Sequence, residues 1–403
     1  MKLVLALGGT DYGQSGIGVY TRALIPRLRR ALEMAGDELV VFGTPKDIHA
    51  YDGALQGVRQ IIISSIFTKP ALNAFFHLTQ ASLTLARENA SVLLLPAANR
   101  RMLTLSPIPT VAVVHDLAQL HVAHKYDPLR MIYFRHILLP ALRQASQLVA
   151  VSESTKKDLL RAIQWPSNRL CVVSNGVDAA KFAPPLPNDS RIQNARRRFA
   201  LDSPYILYLG RLEHPGKNHV RLVEAFASSN LTTNHSLVLA GADWGARTRI
   251  QESVARLGIG HRVHFTGYVP DELVPGLVAG ADAVTMVGLR EGFGLPALEA
   301  LAAGRPLLVS NTGALTEVTG NLAVHCDPFD CRSIRAGLEM AIADANMRQR
   351  AHDEGPKWAK DHGWEKTADS LLSICRETAR LQLDPQRSNT LPANPPPRRI
   401  NNA

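Results

Sequence analysis

Cysteine is scarce. The 403 residues contain four, Cys171, Cys326, Cys331 and Cys375, at spacings that fit neither a disulfide framework nor a zinc site. They read as reduced thiols. Aromatic residues make up 6% of the chain, and they neither cluster into the stacking platform of a nucleic-acid binder nor sit in a recognition motif. Long apolar runs are missing as well. The best stretch, residues 92–98, is broken by Pro96, far short of the roughly 20 consecutive apolar residues that a membrane-spanning helix requires. The N-terminus passes from Met1 and Lys2 through a short apolar run into glycines, without the apolar core and cleavage site of a secretion signal. A cytoplasmic location is the expectation.

What is present is enough hydrophobic residue, 46%, to build two cores in a chain too long for one. The net charge of +10 favours anionic partners: nucleic acid, acidic lipid or phosphorylated small molecules. Charge alone does not choose among them. Short apolar runs at residues 3–7, 39–42, 92–95, 111–114 and 148–151 alternate with amphipathic segments, which is the α/β rhythm of a parallel sheet with crossover helices. The same rhythm resumes at residues 205–209, 237–240, 263–266, 283–287 and 307–309. These patterns predict a first doubly wound, Rossmann-like domain over 1–180, a linker over 181–200 and a second such domain over 201–363. A helix over about 364–380 is expected to cross back to the first domain. The proline-rich, polar stretch 381–403 reads as a disordered tail.

In open parallel sheets, ligands bind beyond the carboxyl ends of the strands, so the residues after each strand are the candidates for chemistry. GGTDYGQSGIGVY, residues 8–20, places five glycines between the first strand and a helix start, where bare N–H groups suit phosphate or a hydroxyl. A plain tight turn uses the same residues. Arg211 follows the strand YILYL and Lys217 opens the next helix; a planar fork and a point charge could together neutralise a diphosphate, although surface cations are as common. EGFGLPALE, residues 291–299, follows the strand AVTMV and runs into a helix with Pro296 in its first turn and Gly304 suited to its end. That spacing turns Glu291 and Glu299 toward one crevice, with the N–H groups of Gly292, Phe293, Gly294 and Leu295 between them.

This nine-residue stretch resembles the E-x7-E signature of glycosyltransferase family 4, whose members have the GT-B fold. Other landmarks follow the family order: GIGVY at 16–20, VVHDL at 113–117, VSESTKKDL at 151–159, NGVD at 175–178, GRLEHPGKN at 210–218 and FTGYV at 265–269. The resemblance takes in nearly everything up to residue 380. It implies that Arg211 and Lys217 bind the donor diphosphate, Glu291 the transferred sugar and Glu299 the ribose. His115 would stand beside the donor sugar, Tyr268 and Val269 beside the base, and Gly16 near the donor phosphates or the acceptor. Pro215 and Gly216 stand where many relatives carry an extra charged residue.

The resemblance further implies transfer with retention at the anomeric carbon. No D-x-D triplet is present to hold a divalent metal against the diphosphate, and the two cations can replace one, so no metal or other cofactor is expected. The nearest likeness is to bacterial mannosyl- and rhamnosyltransferases of surface polysaccharide assembly, which points to a GDP-sugar donor and a glycan or lipid-linked acceptor. A UDP-sugar is the alternative, a GT-B epimerase or a nucleic-acid binder more remote ones. Basic residues 22–30 and 156–161 suggest peripheral contact with anionic lipid.

Overall fold

The computed structural model describes residues 1–383 except 104, 105, 107 and 123–127. Two parallel sheets dominate it. The first contains β1 (Lys2–Ala6), β2 (Glu38–Gly43), β3 (Arg59–Ile62), β4 (Val92–Leu95), β5 (Thr110–Val114), β6 (Gln147–Ala150) and β7 (Leu170–Val172), in the order β3-β2-β1-β4-β5-β6-β7. The second contains β8 (Tyr205–Leu209), β9 (Ser236–Ala240), β10 (Val263–Gly267), β11 (Ala283–Met286), β12 (Leu307–Ser310) and β13 (Val324–Cys326), in the order β10-β9-β8-β11-β12-β13. Each sheet is buried on both faces by helices. That is why its central strands read as unbroken apolar runs, such as fully buried Val-Leu-Leu-Leu in β4. The strand order reverses between β1 and β4 in one sheet and between β8 and β11 in the other, which puts the ligand-binding crevice of each lobe beside those pairs.

The segment 181–200, expected as a linker, instead holds a helix, Ser190–Phe199. Asp189 caps it by accepting from the Arg191 N–H, and the helix packs on the helix Val274–Ala279 of the second lobe, where the Arg191 carbonyl lies so close to Gly276 that no side chain would fit. The closing helix, Trp364–Leu383, lies against the helix Gly16–Glu33 of the first lobe. It therefore runs three residues into the stretch expected as a tail, and residues 384–403 of that stretch lie outside the described ones.

The chain passes between the lobes twice, and the two crossings are bonded to each other. Val177 N–H donates to the His362 carbonyl at 2.8 Å, Val177 pairs with Gly363 in a parallel bridge, and Thr367 Oγ1 donates to the Ser174 carbonyl at 2.9 Å. Gly176 sits against the backbone of Trp364, in a space that a Cβ would fill.

Three basic residues of the helix Gly16–Glu33 are held in ion pairs, Arg22 with Asp271 of the other lobe, Arg27 with Glu365 and Arg29 with Glu33, while Arg30 is exposed. No helix among the described residues is long and apolar enough to cross a membrane.

Candidate active site

Between the lobes lies a cleft of about 490 Å3, lined from both sides. Gly16, His115, Arg211, Lys217, Tyr268, Val269, Glu291, Gly292, Phe293, Gly294, Leu295 and Glu299 all border it. Every side chain singled out from the sequence is thus in one place.

The first lobe contributes the β1 loop and the end of β5. Gly16 opens the helix Gly16–Glu33, and a Cβ built there would meet only a Leu295 methyl, 3.7 Å away on the opposite lobe. Ser15 precedes it with a buried Oγ that has no hydrogen-bond partner among the described residues, and so does the buried Asn175 Oδ1, whose residue also lines the cleft. Both are polar atoms left for a ligand to satisfy. Asp11 and Tyr12 sit at φ of +54° and +51°, uncommon for residues with a side chain. That turn holds the Asp11 carboxylate against Arg100 and 3.9 Å from Arg211 of the second lobe.

His115 is buried, with its ring edge-on to Tyr20 at 4.8 Å and its Nε2 2.8 Å from the Pro96 carbonyl. A carbonyl only accepts, so Nε2 carries the proton and the neutral ring keeps Nδ1 as an acceptor. Burial pushes the imidazole pKa down to about 4, against the raising effect of the Pro96 hydrogen bond.

The second lobe supplies the charged groups. Arg211 follows β8 and is held three ways: its guanidinium stacks over the Trp244 ring at 4.2 Å, bonds Glu213 at 3.0 Å, and approaches Asp11. Lys217 Nζ lies 2.8 and 2.9 Å from the two carboxylate oxygens of Glu291. The Glu291 backbone is fixed as well, its carbonyl accepting from Ala314 N–H at 3.0 Å and Gly313 packed flat against it. Next to it, Gly292 leaves no room for a side chain, since a Cβ would fall 1.8 Å from the His115 carbonyl. Gly294, at φ +100°, turns the chain into the helix Leu295–Ala302, which has Pro296 in its first turn and Gly304 in the left-handed conformation beyond its end.

Glu299, on that helix, lines the cleft half-buried, its carboxylate without an ion pair or hydrogen bond among the described residues. Burial drives its pKa up to about 7, Lys181 opposing and Asp271 adding to the rise. A lone carboxylate in such a place is an acceptor waiting for hydroxyl donors. Among the described residues, no three His, Cys, Asp or Glu side chains converge as metal ligands.

Asp11, Arg100, Trp244 and Asn175 were not singled out from the sequence. Asn175 lies within the quoted NGVD motif and Asp11 within the glycine-rich loop, so position could have flagged them; Arg100 and Trp244 carry no local signal.

Set against known proteins, residues 15–181 match the family described as Glycosyltransferase Family 4, and residues 189–358 the one described as Glycosyl transferases group 1. The O-antigen chain mannosyltransferase B of Escherichia coli is 29% identical over 266 residues, covering 65% of this chain and 69% of that protein. The serotype-specific mannosyltransferase WbdA of the same species is 28% identical over 272 residues, 65% of this chain but only 32% of that longer protein. Among solved structures, Anabaena HepE in complex with UDP and glucose superposes with a TM-score of 0.72 at 17% identity, covering 94% of this chain and all of that one. Two consecutive family matches, covering nearly all of residues 15–358, two parallel sheets and a shared cleft agree: the chain belongs to glycosyltransferase family 4, has the GT-B fold, and is a hexose-transferring enzyme.

Proposed function

We propose that this enzyme moves a hexose, with mannose or rhamnose favoured, from a GDP-sugar to a glycan or lipid-linked saccharide during cell-surface polysaccharide assembly, with retention of anomeric configuration. The observation that carries the reading is the grouping of Arg211, Lys217, Glu291 and Glu299 on one wall of the cleft. It joins two cations for a diphosphate to two carboxylates for hydroxyls. The mannosyltransferases among its relatives support the sugar.

In this reading the donor lies along the second lobe, its ribose hydroxyls donating to Glu299 and its base beside Tyr268 and Val269. Lys217 stays bonded to Glu291 while it reaches a phosphate oxygen, so one carboxylate holds both the sugar and the cation. The bond from the anomeric carbon to phosphate breaks on the face where the acceptor hydroxyl attacks. Arg211, Lys217 and the N–H groups at the start of the helix Leu295–Ala302 stabilise the departing charge. The leaving phosphate oxygen takes the hydroxyl proton, so no protein base is required. His115, neutral and with Nδ1 as acceptor, receives a hydrogen bond from a sugar hydroxyl. The two cations fill the role a metal ion would otherwise have.

The acceptor binds on the first lobe. Exposed Phe75, Leu83, Leu129 and Ile132, on the helices Pro70–Thr79, Ala81–Ala86 and Pro128–Tyr133, support peripheral contact with a membrane carrying a lipid-linked acceptor. The UDP-sugar alternative draws on HepE, which was solved with UDP and glucose.

A thermal-shift panel of GDP, UDP and ADP with wild type and Glu299→Ala, without added metal, tests the reading, because a ligand of the folded state raises the melting temperature. A GDP-selective shift lost in the variant is expected. A UDP-selective shift would move the donor, and no shift with any nucleotide would sink the assignment.

A further inference from the structure

The helix Glu153–Ile163 belongs to the first lobe, yet it is seated on the loops of the second that carry Glu291. Asp158, buried within it, accepts from Arg290 Nη2 at 2.8 and 2.9 Å, and Arg290 is the residue immediately before Glu291. His121 Nε2 stands 2.9 Å from the other side of the same carboxylate. At the helix start, the first N–H groups, of Glu153 and Ser154, donate to the Glu317 carboxylate of the second lobe at 2.9 and 3.3 Å. Glu317 thus acts as a capping group supplied by the opposite lobe, beside the Ser152 cap that satisfies Thr155 N–H. Between the two contacts, Thr155 Oγ1 lies 3.4 Å from the carbonyls of both His115 and Gly292.

Asp158, Arg290, Glu317 and Thr155 do not border the cleft. The Asp158–Arg290 pair and the Glu317 contacts form only when the lobes are apposed. Arg290 has a further constraint: the chain on its far side is pinned by the Ala314–Glu291 hydrogen bond and by Gly292 against His115. Arg290 therefore joins, through one peptide bond, the Asp158 contact to the segment that carries Glu291.

We propose that Asp158 is a positioning residue: by gripping Arg290 from the first lobe, and with Glu317 docked on the same helix, it sets the register of Glu291 relative to His115 across the closed cleft. The inference rests on the donor-site reading of Glu291 given above. Opening the cleft exposes the Asp158–Arg290 ion pair and two helix N–H groups to water, so closure is a discrete docking rather than a continuous slide.

The test uses the full chain as wild type, Asp158→Asn, Arg290→Gln and the double variant. Amide exchange in peptides covering 150–163 and 286–299 needs no ligand; it is expected to rise at least tenfold in both segments together in each variant. Nucleotide affinity, read by calorimetry with GDP and UDP, stays within twofold of wild type. Turnover, read as nucleoside diphosphate released from the donor sugar with water as acceptor, falls at least tenfold in each single variant at unchanged KM, and no further in the double. Unchanged exchange in both segments overturns the proposal, as do losses of turnover that multiply, or a fall in nucleotide affinity parallel to turnover, which marks a merely structural role. Wild type that binds neither nucleotide instead overturns the donor-site reading, and the docking is then judged on exchange alone.

Discussion

Lys217 and Glu291 form a two-point ion pair, with Nζ 2.8 and 2.9 Å from the carboxylate oxygens and only about a fifth and a tenth of the respective side chains exposed. Removing either partner leaves the other charge poorly solvated. Lys217→Ala is therefore expected to lower both functions at once: donor turnover by 100-fold or more, and unfolding free energy by about 2 kcal/mol, a reduced form of the 3–5 kcal/mol loss of a fully buried pair. Glu291→Gln keeps the shape and can still accept from Lys217. Its stability loss should be the smaller of the two in urea denaturation, while its turnover falls as far.

Arg211 is held by a stack, a carboxylate and a more distant carboxylate, and only a planar guanidinium satisfies the stack on Trp244. Arg211→Lys keeps the charge and loses the fork. Steady-state kinetics should show donor KM raised and kcat lowered, each by roughly tenfold. Trp244→Ala should reproduce part of the KM effect alone; an unchanged KM would remove the stack from the account.

Burial pushes the Glu299 pKa up to about 7. Ribose hydroxyls donating to the carboxylate favour the ionised form, so nucleotide binding near pH 7 should release roughly half a proton. Calorimetry in buffers of different ionisation enthalpy measures this directly. In Glu299→Gln the release should vanish and the affinity should drop about tenfold, the value of one or two lost charge-assisted hydrogen bonds. Proton release persisting in the variant would assign it to another group.

Three buried histidines set the acid limit. His77 and His115 are pushed down to about 4 and His219 to about 3, in each case chiefly by burial. The unfolded chain binds protons at these sites from pH 6.5 downward while the folded chain does not, so stability falls as the pH drops from 6.5 toward 4, by up to about 1.4 kcal/mol per histidine per pH unit. Glu299 works in the opposite sense. Its folded form binds more protons between its ordinary value of 4.5 and about 7, and its stabilising share is lost as the pH rises through that window. Asp47 and Glu317, also raised by burial, act with Glu299, and His214 and His325, also lowered by burial, act with the three buried histidines. The histidines outnumber the acids, so the melting temperature should be lower at pH 5 than at pH 7, and His77→Gln should flatten the dependence.

Much of the architecture was legible because central strands are buried on both faces and so appear as apolar runs; β4 and β8 coincide with the runs read from the sequence. The strands that escaped, β3, β7 and β13, are all sheet edges. Arg-Gln-Ile-Ile in β3 and Val-His-Cys in β13 are short and one-sided, and lack the pattern that burial imposes. The helix Ser190–Phe199 hid behind its arginines, although Asp189 with Ile192, Ala195 and Phe199 marks a cap and a narrow apolar stripe. At the site, Arg211, Lys217, Glu291 and Glu299 could be found because each lies between a strand and the next helix or in that helix, although Lys217, read as opening a helix, stands in the loop two residues before the helix His219–Ala227. Asp158, in the middle of a helix, could not be weighted in that way, because its partner Arg290 is decided by how two separate sheets come together.

The paired crossings at Val177 and Gly363 make the joint between the lobes a door hung on two pins. A single tether permits swing, twist and slip; two strands bonded side by side leave chiefly the swing. Asn175 and Trp364 line the cleft right beside that axis, so its inner end stays put while the displacement of every other wall residue grows with its lever arm from the pins. The inner end of the cleft, at Asn175 and Trp364, is thus built on the joint itself.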